Sequence, residues 1–230
     1  MVLVATQTIV TNLLVCTGAA AVICALWHRV RLKQPVPPVL IFEKIGTPPK
    51  NSALKHTWTT PEKLEKTLLK LRKKGYIFLR PQETATVGKK AVLLAFMGGY
   101  RSFYKHVFAL LEKHQIPAII LLAPDSIGTY NSWQDPYQEP WQDLLTQEEI
   151  NELKKSPLIY WGALPLNGQQ ITGCTPKQAA FFVKESIYRL LHQQNIAPVC
   201  WSNYPTRTLP PQRLAALKEQ GIELPFIEFR

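Results

Sequence analysis

Short apolar runs alternate with amphipathic segments from Val39 to the end of the chain. The runs are typical of buried strands, and they are PVLIFEKIG, YIFLRP, AVLLAF, IPAIILLA, LIYWGAL, APVCW and LPFIEF. The segments between them have the apolar spacing and end signals of helices, and they are 59–75, 102–114, 146–155, 175–194 and 210–221. Strands that alternate with helices through short connections predict an α/β domain with a parallel sheet, open or closed into a barrel.

End signals support two of these helices in particular. Thr60 is a predicted N-cap, Pro61 follows at the first helical position, and Gly75 ends the helix. Thr146 and Glu149 have the spacing of a capping box. Local end signals therefore support the predicted alternation of strands and helices.

Two segments depart from this alternation. The stretch LLAFMGGYRS, 93–102, is a buried strand that ends in a glycine turn, the place where α/β proteins usually carry their chemistry. The polar and aromatic stretch at 126–143 is too long and too rich in proline for a simple connection. It is either a lid over the carboxyl ends of the strands or a packed Ω-loop.

The N-terminal region has a different pattern. Residues 9–27 carry no charge and approach the length needed to span a bilayer, and basic residues follow Trp27. We expect a transmembrane anchor over residues 1–30, a proline-rich linker over 31–38 and a globular domain over 39–230. The lipid bilayer is thus a predicted partner. The basic flank favours a cytoplasmic location for the domain, by the positive-inside rule.

Charge and cysteine content narrow the possible functions. The net charge is +11, partly because Asp occurs only at 125, 135 and 143. No RNA-binding or zinc-finger pattern accompanies this charge, so nucleic acid is not an expected partner. The cysteines at 16, 24, 174 and 200 lack the spacing of a zinc site, and the residues themselves predict no metal and no cofactor.

The order of segments resembles the polysaccharide deacetylases of the NodB-homology group, carbohydrate esterase family 4. The stretch VLLAFMGGYRSFYKHVFALLEKHQIPAIILL resembles the family segment built around Thr-Phe-Asp-Asp-Gly-Tyr. PVLIFEKIG resembles the opening strand of the family. The 59–83 segment resembles its first helix and the Gly-Tyr that follows. LTQEEINELKKSPLIYWGALPLNG resembles the helix and strand that lead into a Ser-His-Thr-x-x-His motif. The resemblance covers about residues 39–229. It implies a distorted (β/α) barrel that acts on N-acetylated glycans. It also implies a domain outside the cytoplasmic membrane, whereas the basic flank favours the inside, so the side of the domain stays open.

The same resemblance implies that the metal site is lost. The family uses a divalent metal held by an Asp and two His, with a second Asp as general base. The two aspartates fall on Met97 and Gly98, the two histidines on Leu164 and Gly168, and an early histidine on Glu43. These five positions are the degenerate family positions, and we expect no catalytic residue and no bound metal at them.

Aromatic residues near the predicted strand ends remain as candidate ligand-binding residues: Tyr100, Trp133, Trp161 and Trp201. Their rings either stack on a glycan or fill the space that metal and water would occupy. Three hypotheses stay open: an inactive, membrane-anchored module that binds glycan or protein, an assembly subunit of a membrane complex, and an active deacetylase with a relocated metal site.

Overall fold

The computed structural model describes residues 37–83, 90–166, 171–203 and 209–227. They belong to a unit that begins at Pro37. The anchor predicted at 9–27 lies outside these ranges, as does the linker up to residue 36. Within the described ranges, no helix combines the length and apolarity needed to cross a bilayer.

Parallel strands form the centre of the fold. They are β1 (Val39–Phe42), β2 (Lys44–Ile45), β3 (Trp58–Thr59), β4 (Ile77–Phe78), β5 (Ala91–Met97), β6 (Ala118–Leu122), β7 (Ile159–Ala163) and β8 (Cys200–Trp201). The main sheet has the order β1-β5-β6-β7-β8, and β4 pairs with the first residues of β5. β2 and β3 form a separate pair. Ala95 of β5 is in register with Ile41 on one side and with Ile119 on the other.

The sheet curls into a half-barrel. Among the described residues, no strand pairing joins β8 back to β1. The α/β fold class expected from the sequence is therefore confirmed, and its parallel sheet is curled into a half-barrel. Because the strands are parallel, their carboxyl ends share one edge of the sheet, the carboxyl edge, and their amino ends share the opposite amino edge.

The helices are α1 (Pro61–Lys73), α2 (Arg101–His106), α3 (Phe108–His114), α4 (Gln147–Leu153), α5 (Pro176–His192) and α6 (Pro211–Glu219). The predicted end signals are confirmed: the Thr60 side chain accepts a hydrogen bond from the Lys63 amide, and Thr146 and Glu149 form a capping box. The single helix predicted over 102–114 is divided at Val107. Hydrogen bonds continue across the division, since the Val107 amide donates to the Phe103 carbonyl at 2.8 Å. The strand predicted at 224–229 is reduced to a parallel bridge between Phe226 and Trp201 in the described residues.

Alternation along β5 separates two apolar cores. Leu94 and Phe96 join the large core between the sheet and the helices. Leu93, Ala95 and Met97 belong to a smaller core inside the half-barrel. The uninterrupted apolar run of β5 follows from this, because both faces of the strand are covered.

Candidate functional site: the carboxyl edge

The mouth of the half-barrel is filled by apolar side chains. Met97, the last residue of β5, and Leu164, which follows β7, are 1% and 3% exposed and belong to the same inner core. The indole of Trp133, from the 126–143 segment, packs against this core. The Leu164 amide donates to the Leu122 carbonyl at 2.7 Å, which holds the end of β7 against β6. Two of the degenerate positions therefore contribute to packing at the mouth.

The glycine turn after β5 leaves room for an aromatic ring. Gly98 has φ +87°, and a Cβ at this position would lie 2.9 Å from Cε2 of Tyr100 and 3.6 Å from Cζ2 of Trp133. Gly99 has φ +65°, and a Cβ there would collide with the Leu122 side chain. Both residues combine a backbone that favours glycine with a close neighbour. The ring of Tyr100 thus takes the space that a side chain at 98 would need.

Tyr100 connects the strand end to the 126–143 segment. The ring is 2% exposed, and it meets Trp133 edge to face at a centroid distance of 6.3 Å. The Nδ2 of buried Asn131 lies 3.5 Å from the Tyr100 hydroxyl. Asn131 also accepts a hydrogen bond from the Gln142 amide at 2.5 Å. The tyrosine is therefore part of the packing of this segment.

The 126–143 segment is a packed loop over the carboxyl edge. The Ala53 amide donates to the Gln138 carbonyl at 2.7 Å, and the Arg101 amide donates to the Asp143 carbonyl at 3.0 Å. The Leu145 amide, just past the segment, donates to the Gly99 carbonyl at 2.9 Å. The segment therefore lies over the carboxyl ends of the strands, as a lid would, and it is packed there in the manner of an Ω-loop.

A buried ion pair fixes this loop to the segment that follows β1. The Nζ of Lys44 lies 3.2 Å from Oε1 of Glu139, and both side chains are almost completely inaccessible to solvent. Trp58 Nε1 donates to Oε1 at 2.8 Å, and the Ser52 hydroxyl donates to Oε2. Lys44 also donates to the Thr57 hydroxyl at 3.2 Å and lies 5.5 Å from the centre of the Tyr100 ring.

Burial and hydrogen bonding act on the two charges in different ways. Burial lowers the pKa of the Lys44 amine, and the carboxylate of Glu139 opposes that effect. Burial alone would raise the pKa of Glu139. The hydrogen bonds from Ser52 and Trp58 and the charge of Lys44 outweigh it, so the pKa of Glu139 is below its ordinary value. The carboxylate is thus held in its ionised form.

A polar cavity of about 280 Å³ opens beside this pair. Tyr100, Arg101, Lys105, Gln142 and Asp143 contribute to its lining. Arg101 pairs with Glu149 at 2.7 Å and approaches Asp143 at 3.8 Å. The cavity therefore presents charged and amide groups at the carboxyl edge, next to the packed loop.

The remaining predicted site residues lie elsewhere or outside the described ranges. Trp161 and Trp201 belong to the core between the sheet and the helices, and Trp201 Nε1 donates to the Leu224 carbonyl at 3.1 Å. Glu43 is 5% exposed between β1 and β2. Gly168 lies outside the described residues. Tyr100 and Trp133 are thus the two predicted aromatic residues that the structure places together at the mouth.

The donors at the mouth do not fit the divalent metal that the resemblance implies. Met97 and Leu164 bring a thioether and an alkyl group where a hard cation requires oxygen or imidazole ligands. In the described ranges, no group of three His, Cys, Asp or Glu residues could hold a metal ion. No reaction step through a metal can be derived from these residues.

Sequence reasoning missed Lys44 and Glu139. The two residues are far apart in the sequence, with β4, β5 and β6 between them, and neither falls on a functional position of the family motifs. The only local signal is the charged pair Glu43 and Lys44 after the apolar strand β1, a pattern that is also typical of an exposed strand end.

Comparisons with known proteins identify the fold. No protein-family model matches the sequence, and no curated protein matches it. Solved structures do match. IcaB from Ammonifex degensii is 17% identical with a TM-score of 0.66, over 84% of this chain and 91% of that one. The deacetylase PplD from Streptococcus pyogenes, solved with acetate, is 18% identical with a TM-score of 0.61, over 80% and 79% of the two chains.

A polysaccharide deacetylase from Bacillus cereus also matches, at 15% identity and a TM-score of 0.63, over 84% of this chain and 63% of that one. These identities are too low to transfer an activity, but the matches cover 80% to 84% of this chain. The fold that the sequence resemblance implies is thus confirmed, and the described residues have the fold of the polysaccharide deacetylases.

Proposed function

We propose that this chain is a membrane-anchored protein that uses the polysaccharide deacetylase fold to bind a glycan without hydrolysing it. The observation that carries the proposal is the apolar mouth formed by Met97, Leu164 and Trp133. Metal-assisted amide hydrolysis needs a ligated cation and a general base next to the scissile carbonyl. The side chains of these three residues supply neither a ligand for a hard cation nor a base.

Exposed rings beside the polar cavity support a glycan as the ligand. Tyr130 and Trp141 of the packed loop stack at a centroid distance of 4.4 Å, and they are 45% and 43% exposed. Such rings present large apolar faces on which a sugar ring can stack. Gln142 and Asp143, which line the cavity, directly follow Trp141. Apolar faces next to a few polar groups are the usual composition of a small-molecule site.

The membrane anchor and the side of the domain are parts of the same proposal. The uncharged segment 9–27 supports the anchor, and the basic residues after it support a cytoplasmic domain. A fluorescent reporter fused after Arg230, of a kind that folds only in the cytoplasm, tests the side. Fluorescence is the expected result, and a dark but full-length fusion would place the domain on the opposite side.

Ligand binding and hydrolysis can be tested together. The full chain in detergent is titrated calorimetrically with an N-acetylglucosamine oligomer, and released acetate is measured in the same samples. We expect saturable binding and no acetate. Trp141→Ala should weaken binding several-fold, whereas Phe181→Ala, at an exposed ring of α5, should leave it unchanged.

Two outcomes would contradict the proposal. Acetate release above that of a heat-denatured sample would show that the chain is an enzyme, and zinc, nickel or cobalt in the purified protein would then point to a relocated metal site. Absence of binding at saturating oligomer would remove the glycan as ligand.

An apolar groove supports a second candidate, an assembly subunit of a membrane complex. The groove has a volume of about 770 Å³ between α5 and the segment 220–224. Phe181, Tyr188 and Leu191 line it and are 58%, 55% and 43% exposed. Apolar exposure of this kind often marks a protein interface. Co-purification of the same membrane protein after mild solubilisation, abolished by F181E/Y188E, would favour this candidate, and a monodisperse single chain would count against it.

A further inference from the structure

A cluster of cations lies at the amino edge of the sheet. Lys70 and Lys73 are exposed in the last turns of α1, and Lys74 caps the helix. Lys90 directly precedes β5, and its Nζ lies 3.4 Å from the Lys74 carbonyl, to which it donates. The end of α1 and the start of β5 therefore bring four ammonium groups to one surface.

Exposed apolar side chains accompany these cations. Leu69 of α1 is 42% exposed, and Ile77 of β4 is 41% exposed. Lys90 also lies 5.9 Å from the centre of the Tyr76 ring. We refer to Leu69, Lys70, Lys73, Lys74, Ile77 and Lys90 as the amino-edge patch. Cations next to partly exposed aliphatic side chains are typical of surfaces that lie on a lipid headgroup layer.

The cations of the patch are not neutralised by carboxylates. Among the described residues, no Asp or Glu forms an ion pair with Lys70, Lys73, Lys74 or Lys90. On the neighbouring helix, by contrast, Lys113 pairs with Glu65 at 3.0 Å. The helix dipole favours cations in the last turn of α1. It does not account for Lys90, which precedes a strand, or for the exposed Leu69 and Ile77.

The chain enters the domain at the same edge. The Leu93 amide donates to the Pro38 carbonyl at 3.0 Å, so the linker reaches β5 there. Ile77 of the patch pairs with Ala91, which precedes Leu93 by two residues on β5. The sequence predicts a bilayer span that ends at residue 27, and the nine residues 28–36 extend over at most about 30 Å. An anchored domain is therefore tethered to the bilayer by its amino edge.

We propose that the amino-edge patch binds the anionic phospholipid headgroups of the bilayer in which the chain is anchored. The proposal rests on the membrane anchor of the proposed function. The patch supplies positive charge where an anionic leaflet supplies negative charge, and the tether keeps the two within reach. The docked domain directs its carboxyl edge, with Tyr130 and Trp141, away from the lipid.

Lysine labelling in nanodiscs tests this docking. The full chain is inserted into discs of phosphatidylcholine alone or of an equimolar mixture with phosphatidylglycerol, and acetylation of each lysine is followed by peptide mass spectrometry. Lys63 is a matched control, because it is an exposed lysine at the other end of the same helix. We expect acetylation of Lys70, Lys73 and Lys74 to slow several-fold in the anionic discs, with Lys63 unchanged. Molar salt should remove the difference, because it shortens the screening length.

The failures of the two proposals can be told apart. If the protein remains in the discs but its patch lysines react equally fast in both lipids, docking is wrong and the anchor stands. If the protein separates from the discs, the anchor is wrong and the docking proposal falls with it. Equal slowing of Lys63 and the patch lysines would show general shielding by the disc and would also overturn the specific contact.

Discussion

The ring of Tyr100 lies against the backbone of Gly98, with Cε2 only 2.9 Å from the point where a Cβ would stand. We expect Gly98→Ala to destabilise the fold because the added methyl displaces this ring and residue 98 keeps a positive φ. Gly128→Ala is the matched control, since Gly128 has φ +74° and nothing within 4 Å of its Cβ position.

The control should lose about 1–2 kcal/mol from backbone strain. Gly98→Ala should lose a further amount of about 1–3 kcal/mol from overpacking. Urea unfolding of both variants measures the difference. Equal losses would show that the ring moves aside without cost.

Restoring the aspartates of the family motif should not restore a metal site. In M97D/G98D the position of the first histidine is still Leu164, which offers no imidazole. We expect no stoichiometric Zn²⁺ or Co²⁺ binding by calorimetry. M97N/G98N has side chains of similar volume without the carboxylates and serves as the control for folding, followed by circular dichroism. Metal binding by a folded M97D/G98D alone would mean that our assignment of position 164 is wrong.

Loss of one partner of the Lys44–Glu139 pair should be costly. Glu139→Gln leaves the Lys44 ammonium buried without its counter-charge, and we expect the free energy of unfolding to fall by about 3–5 kcal/mol. The double variant K44M/E139L removes both charges and should lose less. Chemical denaturation of the three proteins gives the comparison. A double variant that is less stable than Glu139→Gln would show that the ion pair itself is strongly stabilising.

The same pair predicts the pH dependence of stability. The pKa of Glu139 is below its ordinary value of 4.5. Its contribution to the free energy of unfolding is therefore complete above pH 4.5 and is lost as the pH falls through the lowered pKa. Lys44 changes the stability of the fold in the alkaline range. Its pKa is also lowered, so the unfolded chain holds the proton more tightly, and stability rises with pH between the lowered value and 10.5. Melting temperatures across pH should show a smaller acid loss for Glu139→Gln than for the parent.

Cys200 should be unreactive in the folded protein. Burial raises the pKa of its thiol to about 12, and its side chain is 1% exposed. At pH 8, iodoacetamide should leave Cys200 unlabelled in the native protein and label it in guanidinium chloride, because only the exposed thiolate is nucleophilic. Half-buried Cys174 is the internal comparison, and peptide mapping separates the two. Native labelling of Cys200 at the rate of Cys174 would mean that β8 opens readily.

Local signals were sufficient for most of the elements. The N-cap at Thr60 and the capping box at Thr146 act within a single turn, so the starts of α1 and α4 could be predicted from the sequence. The apolar runs located β5, β6 and β7 to within a residue or two. The short β8 and the bridge at Phe226 were predicted longer than they are, because the apolar runs around them reflect burial in the two cores as well as strand pairing.

The site was harder to predict because it depends on which face a side chain takes. The run LIYWGAL has no polar alternation, so its pattern could not show that Trp161 faces the helices. The glycine turn could be identified from the sequence. That the Tyr100 ring occupies the space beside Gly98 is known only from the structure. The contact between Lys44 and Glu139 is long-range, and no local pattern distinguishes Lys44 from a lysine at an exposed strand end.

The hydrogen bonds of Glu139 to Ser52 and Trp58 join residues 87 and 81 positions apart in the chain. Closing loops of that size costs entropy that only an already assembled sheet can offset. The loop over the mouth should therefore dock late in folding, after β1, β5 and β6 have paired. Until it docks, Lys44 can remain hydrated and the inner core is open to water, so the aromatic face at the mouth is the last part of the domain to form.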